Sequence, residues 1–167
     1  NLSTTTWSSG GCWRDVTIDN KQVLTLTDTT HPYYFRTLNF QGNFAKFTIS
    51  GVLAKQQVTV FVEKLGNDNL NGNSFYNPDY APNMLVIKYI GTSPLKLNGT
   101  ADINCQLIAP KVDVTLNGNF NFYGGILAKS IDMIGTATIN YDEGLGAATP
   151  VVTGLNFTLR KASQRYR

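Results

Sequence analysis

The sequence predicts an all-β protein whose strands coil into a short right-handed parallel β-helix, or β-solenoid. One observation is the period-two alternation of apolar and polar residues in many short segments, with almost no helical periodicity. Another is a short internal repeat with a nearly fixed period, which is typical of a solenoid and would be accidental in a sandwich. The composition agrees, because 42% of the residues are hydrophobic and only 15% are charged. Polar strand faces must therefore carry amides and hydroxyls.

Six short segments carry the alternation and are predicted to be strands. Gly or Asn residues separate most of them, as expected for tight turns between short strands. The segments are residues 23–26, 47–49, 58–62, 85–87, 112–116 and 139–141. Residues 65–83 lack the alternation, so we predict that they form a surface loop inserted into one coil.

Two markers of the repeat keep the same spacing. Residues 97–100, Leu-Asn-Gly-Thr, return at 116–119 as Leu-Asn-Gly-Asn and more weakly at 133–136 as Met-Ile-Gly-Thr. Residues 107–111 match residues 126–130. The two segments are 19 positions apart, the same distance as between the first two copies of the other marker. Residues 42–55 are an earlier copy that matches residues 118–129 with two residues inserted. At about 17 to 19 residues per turn, the chain supplies about six or seven coils.

The predicted organisation has three parts. Residues 1–15 are a cap or linker, residues 16–145 are the solenoid domain with its loop insertions, and residues 146–167 are a C-terminal strand and basic tail. The 167 residues are enough for one domain with a sizeable core. No apolar run of about 18 residues is present, so we expect no membrane span and no secretory signal in this chain, which we interpret as a mature or excised segment.

The two cysteines, Cys12 and Cys105, have two interpretations. In an exported protein they could form one long-range disulfide. Alternatively, Cys105 is a small core residue, because it alternates with Ile103 and Leu107. The sequence leaves both interpretations open.

The residues suited to catalysis or metal binding do not form a set. The only histidine, His31, precedes Pro32 in a predicted turn, where a solvated side chain is expected. Asp113 and Asp132 have the same offset as the repeat and would stack on adjacent coils, but two carboxylates alone are typical of a solvated face. Residues 67–73 contain one charged residue, Asp68, whereas a calcium site usually needs several. We predict a non-enzymatic protein without metal or cofactor, and a polysaccharide-active β-helix enzyme is the less favoured alternative.

Two groups of residues are candidate contact sites. Exposed aromatic rings stack on sugars or unpaired bases, although core and loop packing is the alternative use of such residues. Basic residues without acidic neighbours suit DNA, another anionic polymer or a neighbouring subunit. The aromatic group is Tyr33, Tyr34, Phe75, Tyr76 and Tyr80, and the basic group is Arg160, Lys161, Arg165 and Arg167. The expected partners are therefore a glycan or DNA, a second copy of the chain, or other surface subunits.

Several motifs resemble a known family. They are Tyr-Tyr-Phe at 33–35, Leu-Asn-Phe at 38–40, Val-Thr-Val-Phe-Val-Glu at 58–63, and above all the run from 107 to 145 with Phe-Tyr-Gly-Gly and Tyr-Asp-Glu-Gly-Leu. Together they resemble the β-solenoid domain of PilX-type, type IV pilus-associated bacterial surface proteins. The resemblance implies an extracellular structural or adhesive protein of the cell surface or fimbrium, and it supplies no catalytic residues. The apolar N-terminal pilin helix is missing, and the chain continues after Leu145. The alternative is a polymer-forming solenoid, similar in architecture to bactofilins, that assembles end to end into an extracellular filament.

Overall fold

The protein, described by a computed structural model, is a parallel β-solenoid of about six turns. The structure describes residues 3–42, 45–66, 69–71, 77, 81–99 and 102–142. In these residues the secondary structure consists of twelve strands and one turn of 3-10 helix at Pro82–Met84. The strands are β1 (Ser3–Trp7), β2 (Gly11–Ile18), β3 (Gln22–Leu26), β4 (Tyr33–Phe40), β5 (Lys46–Ile49), β6 (Val58–Leu65), β7 (Asn69–Asn71), β8 (Leu85–Tyr89), β9 (Leu95–Gly99), β10 (Ile103–Gly118), β11 (Asn121–Gly135) and β12 (Thr138–Asn140).

Each coil passes through one strand of a front sheet and one strand at the back. The front sheet is a continuous ladder of β2, β4, β6, β8, the first halves of β10 and β11, and β12. The back strands are β1, β3 and β5 in one ladder, and β7, β9 and the second halves of β10 and β11 in another. All of these pairings are parallel, as expected when successive coils stack in the same direction. No helix in the described residues is long and apolar enough to cross a membrane.

The register of the front sheet measures the length of each coil. Paired residues on successive strands are separated by 22, 27, 27, 20, 19 and 17 positions in the chain. These pairs are Gly11 and Tyr33, Tyr33 and Val60, Val58 and Leu85, Val86 and Gln106, Ile103 and Phe122, and Asn121 and Thr138. The predicted repeat is confirmed, because residues 97–99 pair with residues 116–118, which in turn pair with residues 133–135. The prediction of a single surface loop at residues 65–83 is wrong in part, because Leu65 is buried in β6 and residues 69–71 form the back strand β7, which pairs with β9. The segment lies in one of the two longest coils.

Alternate residues of each strand fill the space between the front and the back. Val58, Val60 and Val62 of β6 are completely buried, while Thr59 and Phe61 between them face outward. The second half of β10 repeats the pattern with Val112, Val114 and Leu116. Each side chain of this size contributes about 1.5–3 kcal/mol when fully buried. The alternation that predicted the strands therefore also identifies the core.

Two details of the predicted organisation differ from the structure. The ladders begin at Ser3, which pairs with Gln22, so residues 3–15 are part of the first coil and the predicted boundary at residue 16 falls inside β2. The matching of residues 42–55 with 118–129 is also wrong. Counted from its Gly-Asn start, it sets Lys46 and Phe47 against Phe122 and Tyr123. The first two residues pair with β3 at the back, whereas the other two lie in the front sheet. Both segments start with Gly-Asn, yet the first leads from front to back and the second from back to front.

The back-to-front corner of the last coils has no room for a side chain. Gly99, Gly118 and Gly135 lie in register there, and Gly118 has a φ of +140°. A Cβ atom on Gly118 would lie 2.3 Å from the carbonyl oxygen of Gly99. Next to this glycine column, Asn117 Nδ2 donates a hydrogen bond of 3.1 Å to Asn98 Oδ1. Glycine is required here because the coils approach each other through their backbones.

Candidate ligand-binding surface

Outward-facing side chains of the front sheet line up across four strands. Cys12 of β2, Tyr34 of β4, Phe61 of β6 and Lys88 of β8 occupy the same register position. Parallel strands in register lie about 4.8 Å apart, which brings equivalent side chains into contact. We call Tyr34, Phe61 and Lys88 the aromatic row. The parallel register thus builds a continuous surface from residues that are 27 positions apart in the sequence.

The aromatic row is well ordered by its own contacts. The rings of Tyr34 and Phe61 stack with their centroids 4.5 Å apart and an interplanar angle of 8°. The Nζ atom of Lys88 lies 5.1 Å from the centroid of the Phe61 ring. Tyr34 keeps 39% of its surface exposed, so the pair forms an apolar ridge that reaches solvent. Stacked rings and a cation over a ring face are both favourable arrangements, worth about 0.5–1.5 kcal/mol each.

A cavity lies on each side of this ridge. The threonine cavity, about 270 Å³, is bounded by the ridge and by polar side chains that include Thr30, His31 and Thr59. The second cavity, about 240 Å³, is bounded by the ridge and by Arg36, Glu63, Cys12 and Ile90, and we call it the Arg36 cavity. Lys88 lines the threonine cavity, whose lining contains no carboxylate. The Arg36 cavity contains one side chain of each charge, so the two cavities differ in their electrostatics.

The Asp28 carboxylate holds the wall of the threonine cavity in place. It accepts hydrogen bonds from the backbone N–H of Gly10 at 2.7 Å, from the N–H and hydroxyl of Thr30 at 2.8 and 2.7 Å, and from the N–H of His31 at 3.1 Å. These donors, the Gly10 N–H foremost, hold the pKa of Asp28 well below its usual range. The corner from Asp28 to His31 is therefore tied to the preceding coil.

His31 lies on the rim of the threonine cavity. Its side chain is 75% exposed, and its Nδ1 atom lies 2.8 Å from the Thr30 hydroxyl and 3.3 Å from Asp28 Oδ2. This position matches the solvated turn residue expected from the sequence. No group of three or more His, Cys, Asp or Glu side chains in the described part of the chain is arranged to hold a metal ion.

Arg36 of the second cavity is paired across the sheet. Its guanidinium donates to the Asp15 carboxylate through Nε at 3.2 Å and through Nη2. This hydrogen bonding lowers the pKa of Asp15 and raises the pKa of Arg36. Both side chains are about half exposed, so the pair is screened by solvent and adds little to stability. The Arg36 charge is largely neutralised within the protein.

One of the five predicted aromatic contacts lies on this surface. Tyr34 belongs to the aromatic row, but Tyr33 is completely buried and cannot contact a ligand. The Tyr33 hydroxyl donates to the carbonyl of Trp7 at 2.7 Å and accepts from the N–H of Asp28 at 2.9 Å. Neighbouring residues of a strand point to opposite faces, so the two tyrosines could not both be exposed. The remaining predicted contacts lie outside the described residues: Phe75, Tyr76, Tyr80, Arg160, Lys161, Arg165 and Arg167.

The sequence analysis missed Phe61 and Lys88. Phe61 lies in the predicted strand 58–62, and it alternates with the buried residues Val60 and Val62. It therefore shares the outward face with Thr59 and Glu63. This alternation along the strand was a usable signal. Lys88 had no such signal, because its place beside Phe61 depends on a coil that is longer than the repeat predicts.

The two cysteines are far apart and free. Cys12 is exposed on β2, and Cys105 is buried on β10 with 2% of its surface exposed. Three front strands, β4, β6 and β8, separate β2 from β10. At about 4.8 Å per strand the distance is roughly 19 Å, whereas a disulfide needs Cα atoms within about 7 Å. The disulfide is therefore not formed, and Cys105 is a core residue whose pKa is raised to about 12 by burial.

Asp113 and Asp132 do not stack. Between Ala109 and Asp113 the register of β10 against β11 changes from 19 to 17 positions, because β10 contains two extra residues there. Asp113 is consequently opposite Ser130, whose hydroxyl donates to it at 2.7 Å, and Lys129 Nζ lies 3.6 Å away. Asp132 is opposite Thr115. The prediction that these two carboxylates stack directly on adjacent coils is therefore wrong.

The fold and this surface define a parallel β-solenoid module with an aromatic row on its front sheet. The chain belongs to the family described as a domain of unknown function (DUF7305), whose profile matches residues 2–148. This match includes all twelve strands. No curated protein and no solved structure shows a significant match to the chain. The family description names neither an activity nor a pilus, so function is inferred from the surface.

Proposed function

We propose that this chain is a non-enzymatic module of the cell surface that adheres to a carbohydrate polymer through the aromatic row. The observation that carries this function is the Tyr34–Phe61 ridge, which stands between two cavities of the front sheet. Exposed apolar surface rimmed by polar groups is typical of an interaction site. A regular stack of coils is also well suited to presenting such a surface away from a cell.

The chemistry of the ridge and cavities fits a sugar chain. A pyranose ring has an apolar C–H face and a rim of hydroxyl groups, and aromatic side chains with nearby hydrogen-bonding groups complement both. Tyr34 and Phe61 supply the apolar wall, and Thr30 and Thr59 supply hydroxyl groups in the threonine cavity. The cavities are slightly smaller than small-molecule pockets, which usually measure about 300–1,000 Å³, so each suits a single ring of a longer chain.

The extracellular setting of this proposal is supported by the sequence motifs of residues 107–145. Their resemblance to the pilus-associated β-solenoid domain favours a place on the cell surface or fimbrium, alongside other surface subunits. The enzymatic alternative required two carboxylates on adjacent coils. Its candidates, Asp113 and Asp132, are separated by the register of β10 and β11.

Removing the ridge should abolish adhesion. We expect Tyr34→Ala and the double variant with Phe61→Ala to weaken polysaccharide binding at least tenfold, because truncating an anchoring aromatic residue typically costs about 2 kcal/mol or more. Binding would be measured by affinity electrophoresis in gels containing dextran, soluble chitosan, hydroxyethyl cellulose or polygalacturonate. Tyr123→Ala is the matched control, since Tyr123 lies on β11 and is 37% exposed, compared with 39% for Tyr34. Equal retardation of all variants in every gel would exclude the ridge as the adhesive surface.

A second candidate function, end-to-end assembly, is favoured by the last coil. Ile131 and Met133 of β11 are 40% and 51% exposed, whereas Val114 and Leu116, their partners on β10, are completely buried. Among the described strands, this half of β11 pairs only with β10, and β1 at the other end pairs only with β3. A second copy could place its β1 on β11 and continue the parallel ladder. Such a head-to-tail contact does not close and produces a filament.

Electron microscopy distinguishes a filament from a single module. If a second copy binds β11, the intact chain should form uniform fibres whose number rises with concentration, and Met133→Lys should abolish them by placing a charge in the contact. A chain ending at Leu145 is the companion variant. Discrete short rods from the intact chain at every concentration would argue against assembly. Fibres that appear only after truncation would mean that residues 146–167 cover β11.

A further inference from the structure

We infer that the threonine cavity takes an acidic sugar, namely a uronate unit whose carboxylate pairs with Lys88. This inference rests on the proposed function and specifies the ligand of the same surface. It starts from the charge of the cavity, where Lys88 is lined up with three threonines, His31 and Gln57, and no lining residue is a carboxylate.

Lys88 has no ion-pair partner among the described residues, whereas two other cations, Arg36 and Lys129, each lie beside an aspartate. Arg36 is paired with Asp15, and Lys129 lies 3.6 Å from Asp113. No carboxylate in the described part of the chain forms an ion pair with Lys88 Nζ, which instead rests over the Phe61 ring. A cation held against an apolar ring is less hydrated than a free one, so it is better placed to bind an anion.

The Asp28 carboxylate, which holds the wall of the threonine cavity, is not a competitor for Lys88. Asp28 lies behind the corner that carries Thr30 and His31, with 9% of its side chain exposed. Both of its oxygens already accept hydrogen bonds, Oδ1 from Thr30 and His31 and Oδ2 from Gly10. The cavity therefore presents a cation together with the hydroxyls of Thr29 and Thr59. The Thr30 hydroxyl donates its proton to Asp28, so it can only accept a hydrogen bond from a ligand. This set matches a sugar carboxylate with neighbouring hydroxyl groups.

The Arg36 cavity, on the other side of the ridge, does not share this preference. Its Arg36 charge is held by Asp15, and Glu63 adds a negative charge to the lining. An anionic unit would be repelled there and attracted on the other side. The ridge should therefore bind an acidic polymer with its carboxylate on the Lys88 side.

The test compares one polymer in two charge states. Polygalacturonate and its carboxyl-reduced product, a neutral polymer with the same linkage, would be titrated by calorimetry against the intact chain and two variants. Lys88→Gln removes the cavity cation, and Lys96→Gln removes an exposed lysine of the back strand β9 with the same change in net charge. We expect Lys88→Gln to weaken binding of polygalacturonate about tenfold, as the loss of one charged hydrogen bond predicts, while Lys96→Gln leaves it unchanged.

The neutral polymer separates this inference from the proposed function. Carboxyl reduction should weaken binding by the intact chain to the level of Lys88→Gln, and that variant should bind both polymers equally. Equal losses in both lysine variants would indicate nonspecific attraction and overturn the Lys88 site. If binding depends on Tyr34 but is equally strong for both polymers, the proposal of an acidic ligand is wrong and the proposal of carbohydrate adhesion remains. Absence of binding to either polymer would overturn the acidic ligand, and the gels containing dextran, chitosan or hydroxyethyl cellulose would then decide separately whether carbohydrate adhesion is correct.

Discussion

Replacing Phe122 with alanine should destabilise the solenoid by about 3–5 kcal/mol, the usual cost of removing a fully buried phenylalanine from a core. Phe122 is completely buried in the front sheet and lies in register between Ile103 and Ile139. Its ring links three successive coils, so its removal leaves a cavity that backbone ladders prevent from closing. Urea unfolding followed by circular dichroism would measure the loss as a lower transition midpoint.

Tyr123→Ala is the matched control for this experiment. Tyr123 is the next residue of β11, but its side chain faces outward and is 37% exposed. Its loss should change the free energy of unfolding by less than about 1 kcal/mol. If both variants shifted the midpoint equally, Phe122 would not be part of a packed interior, and the assignment of inward and outward faces would have to be reversed.

Replacing Asp28 with asparagine should both weaken the fold and reduce its sensitivity to acid. The asparagine side chain has one acceptor oxygen, so it cannot serve Gly10 on one side and Thr30 and His31 on the other. The expected loss is about 2–4 kcal/mol at neutral pH, because Asp28 is only 9% exposed and its hydrogen bonds are charged. Urea unfolding midpoints at neutral pH would measure this loss.

The acid dependence follows from the direction of the Asp28 pKa. Its pKa in the folded protein is lowered relative to the unfolded chain. The resulting stability is complete above about pH 4–5, near the ordinary aspartate pKa, and is lost as the pH falls towards the folded value. Between pH 5 and pH 2.5 the intact protein should therefore lose more stability than Asp28→Asn. Asp113→Asn, at an exposed position, is the control, and equal slopes for all three proteins would contradict the role of Asp28.

Much of the fold could be predicted because the later coils have similar lengths, with paired strand residues 20, 19 and 17 positions apart. The repeat of Leu-Asn-Gly at residues 97–99 is visible because identical residues must occupy identical corners. The first coil could not be predicted in this way. In β1, Ser3 to Thr6 are exposed and polar, and among the described strands β1 pairs only with β3. The alternation that identifies an inner strand is therefore weaker there.

The candidate site was harder to predict than the fold. The alternation of faces along one strand distinguishes the outward Tyr34 from the inward Tyr33. It does not indicate which residue of the next coil will lie beside Tyr34. That depends on coil length, and partners on β4, β6 and β8 are 27 positions apart at each step. The change of register after Ala109 has the same effect on Asp113 and Asp132. To predict which side chains meet between coils, one must know how many residues each corner contains. Hydrophobic patterning does not give that number.

Coils of very different length stack in a single uninterrupted front sheet, and this has a consequence for how the molecule can change. The extra residues of the longer coils leave the ladder at the corners, and by the logarithmic cost of loop closure they add less than about 0.6 kcal/mol per coil. Insertions at corners that already carry extra residues are thus nearly neutral for folding, whereas the tightly packed glycine corner and the buried strand positions do not tolerate change. Descendants of this scaffold can acquire new loops, and engineers can graft foreign peptides, at the corner between β5 and β6 without altering the pairing of a single strand.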